Sequence, residues 1–285
     1  MTPDRLVLMG VKGGPAIRPG SHMPTSILLQ LAGRNLLVDA GLGVARGVCD
    51  AGVPLPSIER IFVTHLHSDH YLELGPLMHT AWTAGLTDGI PVHGPVGLRG
   101  YWDGFLASMD FDISLRIEDE GRCALAPLLD LQELVPGVIH QDDDLTVRAM
   151  RNVHPPITDS FALRFETRDR VIVLSGDTAF MDEMAAFAEG ADVLVHEAML
   201  RPGVEALCAR MANGDERLHQ HILRSHTSAE DTGRIAKAAG VGLLALNHFV
   251  PDGDPDFPPE AYEAAVRTTW SGPLVIGSDG LAIDL

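Results

Sequence analysis

Short apolar runs recur along this chain, separated by polar or Gly/Pro-rich stretches, and they predict an alternation of strands and helices. Two runs, 6–9 and 26–31, flank a loop from Gly13-Gly14-Pro15 to Pro19-Gly20, the pattern of strands with an irregular connection. Residues 36–41 read as a buried strand that closes on Asp39 and a tight turn. Ile61-Phe62-Val63 predicts another strand, 71–84 a helix, 90–93 a strand and 96–107 a helix. Residues 108–128 are mixed and acidic and predict no regular element. Strands are expected at 130–138, 145–152, 161–166 and 171–175, the last two joined by a hairpin at Thr167-Arg168-Asp169-Arg170.

The second half alternates more regularly. Residues 179–188 read as a helix, 192–195 as a strand and 203–211 as a helix. Thr227-Ser228-Ala229-Glu230 has capping-box spacing and opens a helix to Ala239, closed by Gly240. A strand at 243–246, a helix at 259–267 and strands at 274–276 and 281–283 complete the pattern. Met181, Met184, Met199 and Met211 fall on apolar helical faces and read as core filler. Strands interrupted by helices that can cover outer faces predict a layered α/β sandwich. No low-complexity segment divides the chain, so one domain over residues 1–285 is expected, with 108–143 as a small cap. The halves echo each other: Val38-Asp39-Ala40-Gly41 before 61–64 is like Ser175-Gly176-Asp177 before 193–196.

The chemistry is concentrated in Thr64-His65-Leu66-His67-Ser68-Asp69-His70, directly after a buried-looking strand. In an extended or tightly turned segment, residues i and i+2 point the same way. His65, His67 and Asp69 can therefore converge, with His70 turned toward a second spot. Imidazole with carboxylate suits zinc, iron or manganese, and the absence of cysteine argues against a closed structural zinc site. His154, Asp177 and His248 stand at other strand ends, where side chains can reach a shared sheet edge. His219, Gln220 and His221 are expected in a polar loop without a special role. His22, His79 and His140 have no motif around them.

Charge narrows the partners. With 39 acidic and 21 basic residues, the formal net charge is −18. Proteins that grip nucleic acid neutralise phosphates with Lys and Arg, and no window here is strongly basic, so a long anionic polymer is a poor substrate. Cys49, Cys123 and Cys208 are odd in number and widely spaced, which argues for a reducing compartment. No run of about 18 apolar residues could span a membrane, and no signal peptide is visible. The expected location is cytoplasmic.

Taken together, these motifs resemble the metallo-β-lactamase superfamily and, within it, the ribonuclease Z-like branch. The likeness covers nearly the whole chain. It rests on Val38-Asp39-Ala40-Gly41, the 64–70 motif, His93-Gly94-Pro95, His154, Ser175-Gly176-Asp177-Thr178, His196-Glu197-Ala198, His226-Thr227-Ser228 and Asn247-His248-Phe249. The resemblance implies a four-layer αββα sandwich and a metal-dependent hydrolase with two divalent ions, zinc first and manganese or iron as alternatives. It implies His65, His67 and His154 on one ion, Asp69, His70 and His248 on the other, and Asp177 bridging. Asp39 would orient a ligand. Asp69, Glu197 and His226 would be catalytic, Asp69 holding or deprotonating the nucleophile and the His226–Glu197 pair protonating the leaving group.

The departures matter as well. β-Lactamases of this superfamily carry a Cys ligand where this chain has Asp177. Ribonuclease Z carries a basic arm for tRNA between the motifs matching His154 and Asp177, where only 22 residues lie here. The expected substrate is therefore a small-molecule ester, phosphodiester or lactone. Amide hydrolysis or hydrolytic dehalogenation, tRNA 3′ processing and iron-dependent thiol oxidation are the alternatives. No nucleic acid or membrane partner is expected, and a homodimer is compatible with the reading.

Overall fold

A computed structural model of the chain describes residues 4–210 and 216–285. The first half contains β1 (Arg5–Gly10), β2 (Ser26–Leu31), β3 (Arg34–Val38), α1 (Val44–Asp50), β4 (Arg60–Phe62), α2 (Ser68–Tyr71), α3 (Leu74–Thr83), β5 (Ile90–Gly94), α4 (Leu98–Glu120) and β6 (Leu129–Glu133). Next come β7 (Gly137–Gln141), β8 (Thr146–Arg151), β9 (Phe161–Glu166), β10 (Val171–Leu174), α5 (Glu183–Phe187), β11 (Val193–Met199), α6 (Arg201–Arg210) and α7 (Arg217–Ser225). The chain ends with α8 (Ala229–Ala239), β12 (Leu243–Val250), α9 (Pro259–Arg267), β13 (Leu274–Ile276) and β14 (Leu281–Asp284).

Among the described residues the strands form two seven-stranded sheets, ordered β14-β1-β2-β3-β4-β5-β6 and β7-β8-β9-β10-β11-β12-β13. In each sheet the first four strands pair antiparallel and the last four parallel. The period-2 geometry of a strand explains the layering. Leu6, Leu8, Ile27, Leu29, Leu36 and Val38 face the core between the sheets, where they meet Phe161, Leu163 and Phe165. Val7, Met9, Leu28 and Leu37 alternate with them and face an outer core with Val44, Leu77 and Trp82. Both faces of these strands are therefore buried. Burial of each such side chain contributes roughly 1.5–3 kcal/mol. Helices α5, α8 and α9 cover the other sheet, which completes the αββα sandwich.

Three expectations change. The stretch 130–138 is not one strand: β6 ends at Glu133 and β7 starts at Gly137 in the opposite sheet. Residues 108–120 continue α4, where Arg116 pairs with Asp112 and Glu120 one turn away on either side. Residues 108–143 thus supply the end of α4 and two edge strands. The helix cap at 228 sits one residue later than the spacing implied. Ser228 Oγ accepts from the Asp231 N–H at 3.2 Å and donates to the Asp231 carboxylate at 2.7 Å. Met184 on α5 is buried as expected, Met199 is buried but on strand β11 rather than a helix, and Met211 lies outside the described residues. No described helix is long and apolar enough to cross a membrane.

Candidate active site

The site forms where the C-terminal ends of β3, β4, β10, β11 and β12 meet between the sheets. His65 leaves the end of β4, and α2 starts at Ser68, so Asp69 and His70 point back toward the strand ends. His154 follows β8, Asp177 follows β10, and His248 lies within β12. Donor atoms from these residues gather into two groups, each with its atoms within 4.8 Å of one another. One holds His65, His67, His154 and Asp177, the other Asp69, His70 and His248.

In the first group, His67 Nδ1 stands 3.0 Å from His65 Nε2 and 3.0 Å from His154 Nε2. Asp177 Oδ2 is 3.7 Å from His65 Nε2 and 4.0 Å from His154 Nε2. The same oxygen is 3.4 Å from His70 Nε2 and 3.1 Å from His248 Nε2, so it faces both groups. Asp69 Oδ2 lies 3.7 Å from His70 Nε2 and 3.3 Å from His248 Nε2. Metal bonds of about 2.0–2.2 Å place neighbouring ligand atoms at roughly this spacing.

Two of the remaining nitrogens are held from behind. His154 Nδ1 donates to the Ser225 carbonyl at 2.8 Å, which leaves Nε2 as a lone pair facing the group. His70 Nδ1 lies 2.8 Å from Asp39 Oδ2. Asp39 also accepts from the Thr64 N–H at 2.7 Å and the Thr64 hydroxyl at 3.0 Å, so three groups converge on its carboxylate. Such outer contacts fix tautomer and ring orientation in metal sites. Asp39 and His248 both sit at positive φ, 61° and 47°, conformations that non-glycine residues tolerate only under strong local constraint.

The electrostatics fit a cation. Burial pushes His65 well below, and His67 below, the ordinary imidazole range, and it lowers His154 to about 4, so these rings are neutral. Burial also opposes a charge on His70, yet Asp177, Asp39 and Asp69 outweigh it and raise His70 well above its usual value. Burial likewise disfavours charge on Asp69 and Asp177, but the surrounding imidazoles keep both carboxyls far below the usual range. His70 Nε2 is buried without a hydrogen-bond partner among the described residues. Neutral His65, His67 and His154 with two ionised carboxylates form a donor set suited to divalent metal, and to join it His70 would have to give up the proton that its three aspartate neighbours favour.

Beside this set, Glu197 on β11 and His226 after α7 share a hydrogen bond of 2.8 Å between Oε2 and Nδ1. Glu197 Oε1 accepts from the Thr178 N–H at 2.6 Å. Burial pushes Glu197 well above and His226 below their ordinary values, so burial favours the neutral form of each. The His226 ring stacks on His248 at 5.4 Å, and its donor atom also falls in a grouping with Asp177 and His248.

A cleft of about 390 Å³ opens over these residues, walled by Lys12–Ala16 and Arg18 on one side and by Leu207, Leu218, His221 and Ile222 on the other. Here one expectation is corrected. Residues 219–221 are not a loop but part of α7, and His221 lies 5.7 Å from the His67 ring. The positions of Leu218, His221 and Ile222, at i, i+3 and i+4, were the available signal. Lys12 was missed outright. The other unassigned histidines pair with aspartates: His22 with Asp252, His79 with Asp112 and His140 with Asp142.

Comparison with known proteins extends this picture. The profile of the family described as anti-Pycsar protein Apyc1 matches residues 5–248. Ribonuclease Z of Mycobacterium sp. (strain KMS) is 31% identical over 256 residues, covering 89% of this chain and 87% of the relative. Among solved structures, the metallo-β-lactamase fold protein YhfI from Bacillus subtilis superposes with a TM-score of 0.71 at 21% identity, covering 99% of this chain and 100% of its own. The short form of human tRNase Z gives 0.70 at 20% identity, covering 98% of each chain.

Proposed function

This chain belongs to the family of the anti-Pycsar protein Apyc1, in the ribonuclease Z-like branch of metallo-β-lactamase-fold hydrolases, and on that premise we propose that it hydrolyses a small-molecule phosphodiester. The enzyme is a metal-dependent hydrolase. The observation that carries the finer reading is the Asp177 Oδ2 position, within 3.1–4.0 Å of four imidazole nitrogens from both groups. It supports His65, His67 and His154 as ligands of one zinc ion, Asp69, His70 and His248 as ligands of a second, and Asp177 as the bridge.

Two such ions supply a water of lowered pKa and stabilise charge on a phosphoryl oxygen. The chain's own residues do the rest. Asp69 holds the nucleophile in line. Glu197 and His226 move one proton: His226 gives its Nε2 proton to the departing oxygen while its Nδ1 takes a proton along the 2.8 Å bond from Glu197. The pair ends as a carboxylate and a neutral imidazole, ready to be recharged by solvent.

A phosphodiester is favoured over a carboxylic ester or lactone because the ribonuclease relative, by its name, cleaves an RNA linkage, which is a phosphodiester. A small molecule is favoured over RNA because of the −18 charge. In addition, residues 155–176 are largely taken up by β9, β10 and the turn between them, with no inserted arm. Transfer RNA processing is the second reading, and the same relative's name is what supports it. The test is a panel on zinc-loaded protein: bis(nitrophenyl) phosphate, an alkyl phosphodiester, a nitrophenyl ester, a lactone and precursor tRNA. The phosphodiesters should turn over fastest. Ester or lactone turnover ten times faster, or cleavage of precursor tRNA at one defined site, overturns the proposal.

A further inference from the structure

We propose that Lys12 is a positioning residue: its ammonium group aims the Gly13–Gly14 peptide at Asp69 and seats Gly13 against His248. The inference rests on the ligand assignment above. His154 and His70 each have a partner behind the nitrogen that does not face the donor groups, Ser225 O and Asp39 respectively. Metal-ligating histidines ordinarily show this arrangement. His248 does not. Its Nδ1 is buried with no hydrogen-bond partner among the described residues, and its backbone sits at φ 47°.

What lies against that ring is Gly13. A Cβ at this position would stand 2.9 Å from His248 Cε1, 3.0 Å from its Nδ1 and 2.6 Å from Val250 Cγ2. Only a residue without a side chain can rest there, so backbone packing takes the place of the absent hydrogen bond. The next residue, Gly14 at φ +81°, donates its N–H to Asp69 Oδ2 at 2.7 Å. Two consecutive glycines thus touch two members of one donor trio.

A Gly-Gly pair is conformationally permissive, and something must select this geometry. Lys12 folds back on the turn, and its Nζ donates to Gly13 O at 2.6 Å and Gly14 O at 3.0 Å. The Gly13 carbonyl and the Gly14 N–H belong to one planar trans peptide. Holding the oxygen at one end therefore fixes where the N–H at the other end points, which is Asp69 Oδ2. The Lys12 and Gly13 N–H groups, donating to Met23 O and Phe249 O, anchor the segment at its base.

The test compares the holoenzyme with Lys12→Met, which keeps the apolar length but loses the donors, and Lys12→Gln, which keeps two N–H groups. Readouts are the affinity of each cobalt(II) ion by chelator competition, the cobalt absorption spectrum, and kcat against KM. Lys12→Met should weaken the ion at Asp69, His70 and His248 about 10–100-fold, change its spectrum and lower kcat at limiting metal. Lys12→Gln should recover part of the loss, and Gly13→Ala should reproduce it. Unchanged affinity for both ions in Lys12→Met, or a rise in KM alone, overturns the proposal, the latter by making Lys12 a substrate contact. If Lys12→Met does not fold, wild-type affinities in Lys12→Gln and Gly13→Ala together overturn it. Retention of both ions by Asp177→Ala would instead refute the ligand assignment beneath it. Loss of metal there with full retention in Lys12→Met refutes the Lys12 role alone.

Discussion

The two halves of the molecule repeat one strand plan and use it differently. In each sheet an antiparallel meander leads into parallel strands, and in each an acidic residue and a histidine lie near the ends of equivalent strands. In the first half these are Asp39 after β3 and His93 in β5. In the second they are Asp177 after β10 and His248 in β12. Register separates their roles. Asp39 directly follows Val38, whose partner is Phe62, and His93 itself pairs with Phe62. Leu174 pairs with Val195, which pairs with Ala245, and both Asp177 and His248 lie three residues beyond that level. Counted from these paired levels, the second half's aspartate and histidine stand two and three residues farther along than their first-half counterparts. Asp177 and His248 enter the donor set, Asp39 stops behind His70, and His93 stays on Phe62 with Arg60. The first half contributes its ligand candidates from the turn after β4 and from α2 instead.

The comparison breaks most visibly at its two aspartates. Asp177→Ala should lose at least one ion per chain by elemental analysis and leave activity at background, because its Oδ2 faces both groups. Two ions retained with measurable turnover would mean that reach past the strand end does not define the site.

The next largest effect sharpens the role of β11. A positioned general acid contributes roughly 10²–10⁴-fold when the leaving group is poor. His226→Ala should therefore slow an alkyl phosphodiester by about that factor and a nitrophenyl analogue far less. Glu197→Gln should show the same asymmetry more weakly. Equal losses on both substrates, with metal content intact, would assign His226 to binding instead.

How much of this was legible follows from how local each signal is. The 64–70 motif could be read because consecutive residues after one strand supply several donors. The strand-end positions of His154 and Asp177 were readable from apolar runs that stop beside them, whereas β12 runs on past the expected end at Leu246 and holds His248 inside it. The α4 helix past Ala107 was not readable, since its continuation carries few buried residues and is supported by half-buried ion pairs such as Arg116–Asp112. The sheet change between Glu133 and Gly137 leaves no hydrophobic signature, because both edge strands are mostly exposed. Lys12 was illegible for another reason: it matters through a contact made across a long sequence separation, from Gly14 to Asp69, while His221 carried a helical spacing but no sign of its place beside His67.

A smaller effect is expected at the first-half aspartate. Asp39→Asn keeps the size of the group but weakens its hold on His70 and Thr64. Metal affinity should fall about 10–100-fold, with turnover restored at high metal concentration. Failure of added metal to restore turnover would place Asp39 among the groups that contact substrate.

The smallest effect, and the cleanest control, is His93. It is the first half's counterpart to a ligand candidate, yet its Nε2 accepts from Arg60 at 2.9 Å and its ring stacks on Phe62 at 5.1 Å. His93→Gln should therefore leave both ions and kcat/KM within about twofold, while losing a ring stack worth about 0.5–1.5 kcal/mol. Burial, helped by Arg60, lowers the His93 pKa to about 4, against about 6.5 in an unfolded chain. Between those values the unfolded state binds more protons, so stability rises with pH across the window. The His93 contribution is complete above about pH 6.5 and is lost as pH falls toward 4. Thermal unfolding of metal-loaded wild type and His93→Gln at pH 7.5 and pH 5 isolates it, because the acid sensitivity of the metal site is common to both. The wild-type melting temperature should fall more than the variant's. An equal fall would mean that His93 is already protonated or solvated in the folded protein, and a lost ion in His93→Gln would put the first half's histidine in the site after all.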